Sequence, residues 1–176
     1  MLKEDIGRKM RMLERSGPGG WLATVLEPGT LAVMVYRFAG WTMRIPGPLR
    51  LPFKVLYFVL FYMVQALTGI SVQAYAKIGR RFVILNHDCV FVVAERIGDD
   101  FTVCQGVTVG NVRGARRLPT IGNNVFLEPG CKILGDISIG DNVVVRANSL
   151  VLNDVPSDSI AVGNPARILR RPANPA

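Results

Sequence analysis

The sequence predicts a mainly β fold, a parallel β-helix preceded by an N-terminal α-helical segment. The strongest observation is a repeat of six. Between Val72 and Val155 an aliphatic residue returns at every sixth position for most of the way, and a small or apolar residue usually follows four places later. A six-residue repeat is typical of a β-helix, in which three hexads complete one coil. The second observation is that apolar residues before position 70 have helical spacing instead.

The repeat predicts which side chains fill the interior of the β-helix, with coils about 4.8 Å apart. Gly122-Asn123-Asn124 and Gly140-Asp141-Asn142 suit the corners, because glycine and asparagine tolerate positive φ. Between Val90 and Ile97 the spacing is seven, which we interpret as a bulge. The predicted interior residues are Ile78, Ile84, Val90, Ile97, Val103, Val109, Ile121, Leu127, Ile133, Ile139, Val145 and Val151.

One segment leaves the repeat altogether. Between Val109 and Ile121 the spacing is twelve, and the residues between them are polar and basic. We interpret 111–120 as a loop extruded from the β-helix, where binding residues tend to lie. The chain then divides into a helical segment at 1–70, a β-helix at 71–162 and a C-terminal tail at 163–176.

The helical segment predicts three helices. Residues 3–14 form a short amphipathic helix that ends at the glycine-rich 16–20, and a second helix runs from Gly29 to Pro46. The third helix, 52–70, is the most hydrophobic stretch and reaches the lower edge of transmembrane length. Two interpretations stay open for it. It is buried between subunits, or it makes peripheral membrane contact, for which Arg44, Arg50 and Lys54 would suit an anionic surface.

Composition narrows the class of protein. With 176 residues, 49% of them hydrophobic and 19% charged, the chain is one domain of ordinary size. The formal charge of +8 favours an anionic partner, but no basic run has interleaved aromatic residues, so we expect no nucleic acid. Three cysteines without CxxC spacing are typical of a reduced, cytoplasmic protein. The mixed, charged N-terminus does not have the pattern of a signal peptide.

Several motifs resemble the serine O-acetyltransferases and their hexapeptide-repeat relatives: Gly106–Gly110 (GVTVG), Pro119–Asn123 (PTIGN), Ser149–Pro156 (SLVLNDVP) and Gly163–Arg167 (GNPAR). Leu2–Ile6 and Tyr36–Trp41 resemble the family's opening segments. Ile78–Phe82 and Gly98–Thr102 look closest to the acetyltransferases of exopolysaccharide synthesis, of the colanic acid type. The resemblance implies a left-handed β-helix, a homotrimer or a dimer of trimers, and acetyl-CoA as the cosubstrate in a groove between subunits.

Acetyl transfer to a hydroxyl needs a base, and histidine suits the task because its pKa lies near working pH. His87 is the one histidine of the chain, and the resemblance implies that it is catalytic. The alternative is an exposed corner histidine without a role. Glu95 and Asp88 are the nearby carboxylates that could orient it, and we predict Glu95 as a second catalytic residue. Ser71 stands where the family usually has an aspartate partner.

The acceptor is predicted from three departures. Where serine enzymes of the family hold the substrate with acidic residues and a second histidine, this chain has Gly17, Asn86 and Leu118. Without carboxylates, a desolvated ammonium group would be costly to bind, which disfavours L-serine and favours a sugar. The predicted acceptor-binding residues are Asn86, Asp88, Arg113, Arg116 and Arg117. The arginines could grip an anionic sugar or a lipid-linked diphosphate, or contact only CoA phosphates or solvent.

For the donor, the resemblance implies CoA contacts at Gly110, Asn111, Pro129, Gly130, Ala147, Asn148 and Arg167. No metal is expected, because one histidine per chain is too few for a hexapeptide-repeat metal site. Cys89 lies near His87 in the sequence, and we interpret it as a hydrophobic filler rather than a nucleophile.

Taken together, the sequence predicts an acetyl-CoA-dependent O-acetyltransferase that acts on a saccharide or lipid-linked glycan in surface polysaccharide biosynthesis. The expected location is the cytoplasm, or the inner face of the membrane if the 52–70 helix contacts lipid. One alternative is a serine O-acetyltransferase of cysteine biosynthesis. Another is a non-catalytic β-helix subunit kept for assembly.

Overall fold

The computed structural model describes residues 1–111 and 117–170. The predicted arginines Arg113 and Arg116 lie outside the described residues. The N-terminal region contains four α-helices and a 3₁₀ turn: α1 (Leu2–Met12), α2 (Gly17–Val25), α3 (Pro28–Thr42), the turn Gly47–Leu49, and α4 (Arg50–Thr68). The glycine-rich segment after α1 is predicted as a break, yet α2 begins there. Pro18 stands in its first turn, where a missing N–H costs nothing.

Short parallel strands follow and form three sheets along the solenoid. Sheet 1 has the order β1-β4-β7-β10-β13, sheet 2 has β11-β8-β5-β2, and sheet 3 has β15-β14-β12-β9-β6-β3, with β15 alone antiparallel. The strands are β1 (Ser71–Val72), β2 (Lys77–Ile78), β3 (Val83–Ile84), β4 (Phe91–Val92), β5 (Arg96–Ile97), β6 (Thr102–Val103), β7 (Thr108–Gly110), β8 (Thr120–Ile121), β9 (Phe126–Leu127), β10 (Lys132–Leu134), β11 (Ser138–Ile139), β12 (Val144–Val145), β13 (Leu150–Val151), β14 (Ser159–Val162) and β15 (Arg167–Arg170).

The fold is not plainly mainly β. The four α-helices contain 11, 9, 15 and 19 residues, whereas most strands contain two. A hexad repeat forms a solenoid of short strands joined by long corners. Even a large β-helix therefore has few of its residues in regular β-strands. Parallel sheets after an N-terminal helical region describe the architecture better.

Strand register corrects one interior position. Val92, and not Val90, pairs with Val109, and Val109 in turn pairs with Ile133. Val90 is fully buried, but it lies two residues before Val92, in the corner that directly precedes β4. The seven-residue spacing interpreted as a bulge is therefore two separate irregularities. Eight positions separate Ile84 from Val92, and five separate Val92 from Ile97.

The corners between sheets 2 and 3 behave as the glycine and asparagine clusters predict. Asn124 and Asn142 have φ of 52° and 58°, and the Asn124 side chain donates to the Asn142 side-chain oxygen over 2.9 Å. A Cβ on Gly122 would lie 2.8 Å from the carbonyl carbon of Gly140 in the next coil. Only glycine allows the coils to approach this closely.

The helices are anchored on the solenoid by a buried ion pair. Asp5 of α1 accepts hydrogen bonds from Arg37 Nε of α3 (2.9 Å) and from the backbone N–H of Phe82 (2.9 Å). Arg37 also donates to the carbonyls of Ile78 (2.9 Å) and Gly79 (2.5 Å). The pair therefore joins both helices to the strands that lead to the corner carrying His87.

Helix α4 packs on α3 and leaves most of its surface outside. Tyr57 is its buried residue, and Trp41 of α3 meets Phe53 edge to face, with 5.3 Å between ring centroids. Within the described chain most of α4 is exposed, and its predicted burial between subunits, like the alternative of membrane contact, stays a prediction. Arg50–Thr68 is also the helix in the described residues that is long and apolar enough to cross a membrane, and 6% of its most apolar window is buried.

Candidate functional site

The site is built on one corner of the solenoid, repeated in successive coils. We call the corner between sheets 3 and 1 the histidine edge. It comprises residues 85–90, 104–107, 128–131 and 146–149. Because equivalent corners stack along the axis, side chains far apart in sequence line one continuous edge, with about 4.8 Å between coils.

The first corner of this edge is longer than the others. Eight positions separate Val83 from Phe91, while six separate their partners Thr102 and Thr108. The two extra residues fall in the segment that carries His87. The backbone turns there through Asp88, which has a φ of 95°. The side chains from Asn86 to Cys89 on this longer corner are exposed.

His87 is exposed at this projecting corner, and its ring makes no hydrogen bond to any of the described residues. The neighbouring Asp88 is also exposed, and its carboxylate has no partner in the same part of the chain. An unpaired imidazole beside an unpaired carboxylate at a solvent-facing position is free to meet an external ligand. Cys89 is exposed as well and does not act as the predicted hydrophobic filler.

Backbone hydrogen bonds continue the edge away from His87. The N–H of Gly106 donates to the carbonyl of Asp88 over 2.9 Å. The N–H groups of Gly130 and Asn148 donate to the carbonyls of Gln105 and Pro129, also over 2.9 Å each. The predicted CoA residues Pro129, Gly130, Ala147 and Asn148 therefore lie on the same edge as His87.

Gly130 is needed on this edge for two reasons. Its φ of 73° lies in the left-handed region, and the place where a Cβ would stand is occupied by the side-chain oxygen of Asn148. Any larger residue would displace Asn148 from the edge. Small residues such as glycine and alanine allow a neighbouring ligand to approach the backbone of the edge closely.

Apart from Asp88, the charged residues on or directly beside the edge are already paired. Glu128 accepts from Arg146 (2.7 Å) and from the backbone N–H of Ala147 (2.9 Å), and Lys132 donates to the carbonyl of Gly106 (2.9 Å). Lys132 and Gln105 are not among the residues predicted from sequence. Gln105 lies opposite Asn86 in the register that pairs Val83 with Thr102, and Asn86 Nδ2 donates to its side-chain oxygen over 2.9 Å. It could have been found, because it stands two positions after the interior residue Val103, as Asn86 does after Ile84.

The thiols behind the edge are poor nucleophiles. Burial raises the pKa of Cys104 to about 11, and the charge of Glu128 adds to this. Burial raises the pKa of Cys131 to about 12. Since the thiolate is the nucleophile, neither cysteine is suited to attack near neutral pH.

Other predicted residues lie at a second corner, between sheets 1 and 2, which we call the loop edge. Glu95, Gly110, Asn111 and Arg117 lie here. The N–H of Glu95 donates to the carbonyl of Pro119 over 3.1 Å. Strand β4 lies between His87 and Glu95, so the structure does not bring these two residues together within one chain. Arg117 forms an exposed ion pair with Asp136 over 3.3 Å.

The remaining predicted positions are dispersed. Arg167 begins β15 and is exposed, and Ser71 is buried in β1, where its hydroxyl accepts from Gln73 over 3.3 Å. Gly17 begins α2, and Leu118 lies on the loop edge, so Asn86 is the one of the three acceptor positions on the histidine edge. Within the described residues, no three histidine, cysteine or acidic side chains are grouped so that they could hold a metal ion.

Comparison with known proteins places this arrangement in a family. Residues 119–153 match the family described as bacterial transferase hexapeptide (six repeats). The chain is 37% identical over 158 residues to a serine acetyltransferase of Helicobacter pylori, which covers 86% of each chain. It is also 37% identical over 148 residues to the serine acetyltransferase of Synechococcus elongatus, of which it spans only 58% while 82% of its own length is covered.

The fold agrees with a solved relative. The structure titled soybean serine acetyltransferase complexed with serine has a TM-score of 0.75 to this chain at 29% identity. That likeness covers 96% of this chain and 69% of the soybean chain. The helical segment and the solenoid therefore occur together in that protein too.

Proposed function

Because the chain belongs to the serine acetyltransferase family, which is a family of acyltransferases, we propose that it transfers the acetyl group of acetyl-CoA to the hydroxyl of L-serine. His87 is the proposed general base. The observation that carries the proposal is the exposed, unpaired imidazole on a lengthened corner of the same edge as Pro129, Gly130, Ala147 and Asn148.

The expectation of a saccharide or lipid-linked acceptor in polysaccharide biosynthesis is wrong. The named relatives with which the chain shares 37% of aligned residues are serine acetyltransferases. The family resemblance to hexapeptide acetyltransferases holds, but its narrowing to exopolysaccharide enzymes does not. The alternative of a serine O-acetyltransferase is the better one.

A fourth position supplies the negative charge that the other three positions lack. Asp88 offers an unpaired carboxylate next to His87, and it can neutralise the ammonium group of serine. Gly17 and Leu118 lie away from the histidine edge of their own chain, so within one chain Asn86 and Asp88 are the positions that set the charge beside His87. Asn86 can add a neutral amide contact to the substrate.

The proposed reaction is a direct transfer. The serine hydroxyl attacks the thioester carbonyl as His87 takes its proton, which forms the C–O bond and a tetrahedral oxyanion. Collapse of that intermediate breaks the C–S bond, and the proton held by His87 passes to the departing CoA sulfur. Backbone N–H groups on the edge can stabilise the oxyanion.

Two edges of one chain carry the proposed residues, and a homotrimer would bring them together. We propose that the histidine edge of one subunit faces the loop edge of its neighbour, so that Glu95, Gly110, Asn111 and Arg117 complete the groove for CoA. Arg167 is exposed and free to join them. The left hand of the solenoid and a cytoplasmic location are part of the same proposal and follow the relatives.

The test is a steady-state assay of purified full-length protein with acetyl-CoA and L-serine, following release of the CoA thiol. Replacement of His87 by Asn keeps the size of the side chain and removes the base, so kcat should fall about 10²–10⁴-fold. The matched control is Lys3→Gln, which alters an exposed residue of α1 away from the histidine edge and should retain most of the activity. Unchanged kcat in H87N, or no thiol release with serine at all, would contradict the proposal.

Asp88 supplies a separate readout of acceptor binding. The substitution D88N removes the charge that we assign to the serine ammonium, while it keeps the shape of the corner. The KM for serine should rise about tenfold or more, and the KM for acetyl-CoA should stay the same, because a charged hydrogen bond contributes about 1.5–3 kcal/mol. Equal effects on both KM values would remove Asp88 from this role.

A further inference from the structure

Helix α4 presents a broad apolar surface that nothing in the described chain covers. We call it the α4 face, and its residues are between 44% and 78% exposed. They are Leu51, Val55, Leu56, Phe58, Val59, Tyr62, Met63 and Leu67. An apolar surface of this size is unusual on a soluble monomer and marks a contact with another body.

The helix lies along the protein and does not leave it. It packs against α3, where Phe53 contacts Trp41, and its Tyr57 is buried. At its C-terminal end Gly69, with φ of 65°, turns the chain directly into the solenoid. Because both ends and one side are attached, the α4 face can lie on a surface but cannot cross a bilayer together with the helix.

Positive charge surrounds the beginning of this face. Exposed Arg44 precedes α4, half-buried Arg50 begins it, and exposed Lys54 follows one turn later, with its Nζ 6.0 Å from the centroid of the Phe58 ring. Next to Arg44, a cleft of about 890 Å³ is lined by Trp41, by Lys77 and Arg96 of sheet 2, and by one carboxylate, that of Asp99. The sequence contains no acidic residue between Glu27 and Asp88.

We propose that the α4 face docks on an anionic phospholipid bilayer, with the helix in the plane of the interface. Apolar side chains enter the acyl boundary, and the cations meet the phosphates of the headgroups. A second copy related by a two-fold axis suits this face less well. A two-fold contact would bring like charges together at its rim, and the segment from 28 to 87 has no carboxylate to neutralise them.

The test is flotation of the full-length protein with vesicles of phosphatidylcholine plus phosphatidylglycerol, compared with vesicles of phosphatidylcholine alone. We expect the protein to float with the anionic vesicles, and less so as salt is raised. Neutralising Lys54 by K54Q should weaken binding about fivefold, since each basic residue near an anionic surface contributes about this much. K3Q, on the exposed side of α1, is the matched control and should leave flotation unchanged.

Val59→Glu tests the apolar part. Loss of one valine from the acyl boundary should weaken vesicle binding about tenfold or more. Failure of the wild type to float with anionic vesicles would overturn the proposal. A lower native mass of V59E would overturn it too, because that face would then contact another copy. Acetyl transfer between soluble substrates is measured separately, so its presence or absence decides nothing about lipid binding.

Discussion

Removal of the buried carboxylate of Asp5 tests how the helices are attached to the solenoid. Asp5 is 3% exposed and accepts from Arg37 at 2.9 Å and 3.1 Å and from the N–H of Phe82 at 2.9 Å. The substitution D5A leaves a guanidinium and a backbone donor without these partners. Taking away one member of a buried ion pair costs about 3–5 kcal/mol.

We expect the cost of D5A to lie at the lower end of that range. Arg37 keeps its hydrogen bonds to the carbonyls of Ile78 and Gly79, which continue to solvate part of its charge. We therefore expect D5A to lower the free energy of unfolding by about 3 kcal/mol. D5N keeps an acceptor for the Phe82 N–H and should cost about half as much.

The assay is urea unfolding followed by circular dichroism at one fixed protein concentration, since oligomers unfold in a concentration-dependent way. Glu4→Ala is the matched control. Glu4 is the adjacent carboxylate, its side chain is 43% exposed, and its ion pair with the N-terminal ammonium is 3.9 Å long. E4A should change stability by less than about 0.5 kcal/mol. If D5A costs no more than E4A, the buried pair does not anchor the helices.

Three further predictions concern the solenoid. G122A should destabilise the fold by about 1–3 kcal/mol in thermal unfolding, because its Cβ would meet the backbone of the next coil. The control G19A, whose Cβ would have nothing within 4 Å, should not destabilise the fold in this way. Equal losses of stability in the two variants would contradict the close approach of the coils at Gly122. At pH 8 a thiol reagent should modify Cys89 alone in the folded chain and all three cysteines after denaturation. Since burial raises the pKa of Cys104 and Cys131, the folded chain keeps protons that the unfolded chain releases, and stability should fall as pH rises above about 9. Reaction of more than one thiol in the folded state would contradict the labelling prediction, and stability that rises above that pH would contradict the predicted pH dependence.

The solenoid could be predicted because each turn of a β-helix places its interior residues at the same spacing in the sequence. An interior position admits only side chains that fill the space between sheets, and buried residues such as Ile97, Val103 and Ile133 therefore return at a fixed spacing. The position of Val90 could not be predicted in this way. A buried aliphatic residue at a corner and one in a strand look alike in sequence, and only the register with Val109 distinguishes Val90 from Val92.

The site was harder to predict than the scaffold. His87 stood out because it is the one histidine of the chain, but its proposed partners came from closeness in sequence. In a solenoid, closeness in sequence does not mean closeness in space. Glu95 is eight positions from His87 and lies at a different corner, whereas Asn148 lies on the same edge three coils away.

The sequence by itself determined the repeat, the exposed corners and the single histidine, because each depends on local backbone preference or on the presence of one residue type. Only the tertiary structure decided which residues share an edge, that two extra residues lengthen the His87 corner, and that Asp88 beside it has no side-chain partner among residues 1–111 and 117–170. These depend on register between coils and on contacts across many residues. Because such contacts join residues that are far apart along the chain, the sequence alone does not show them.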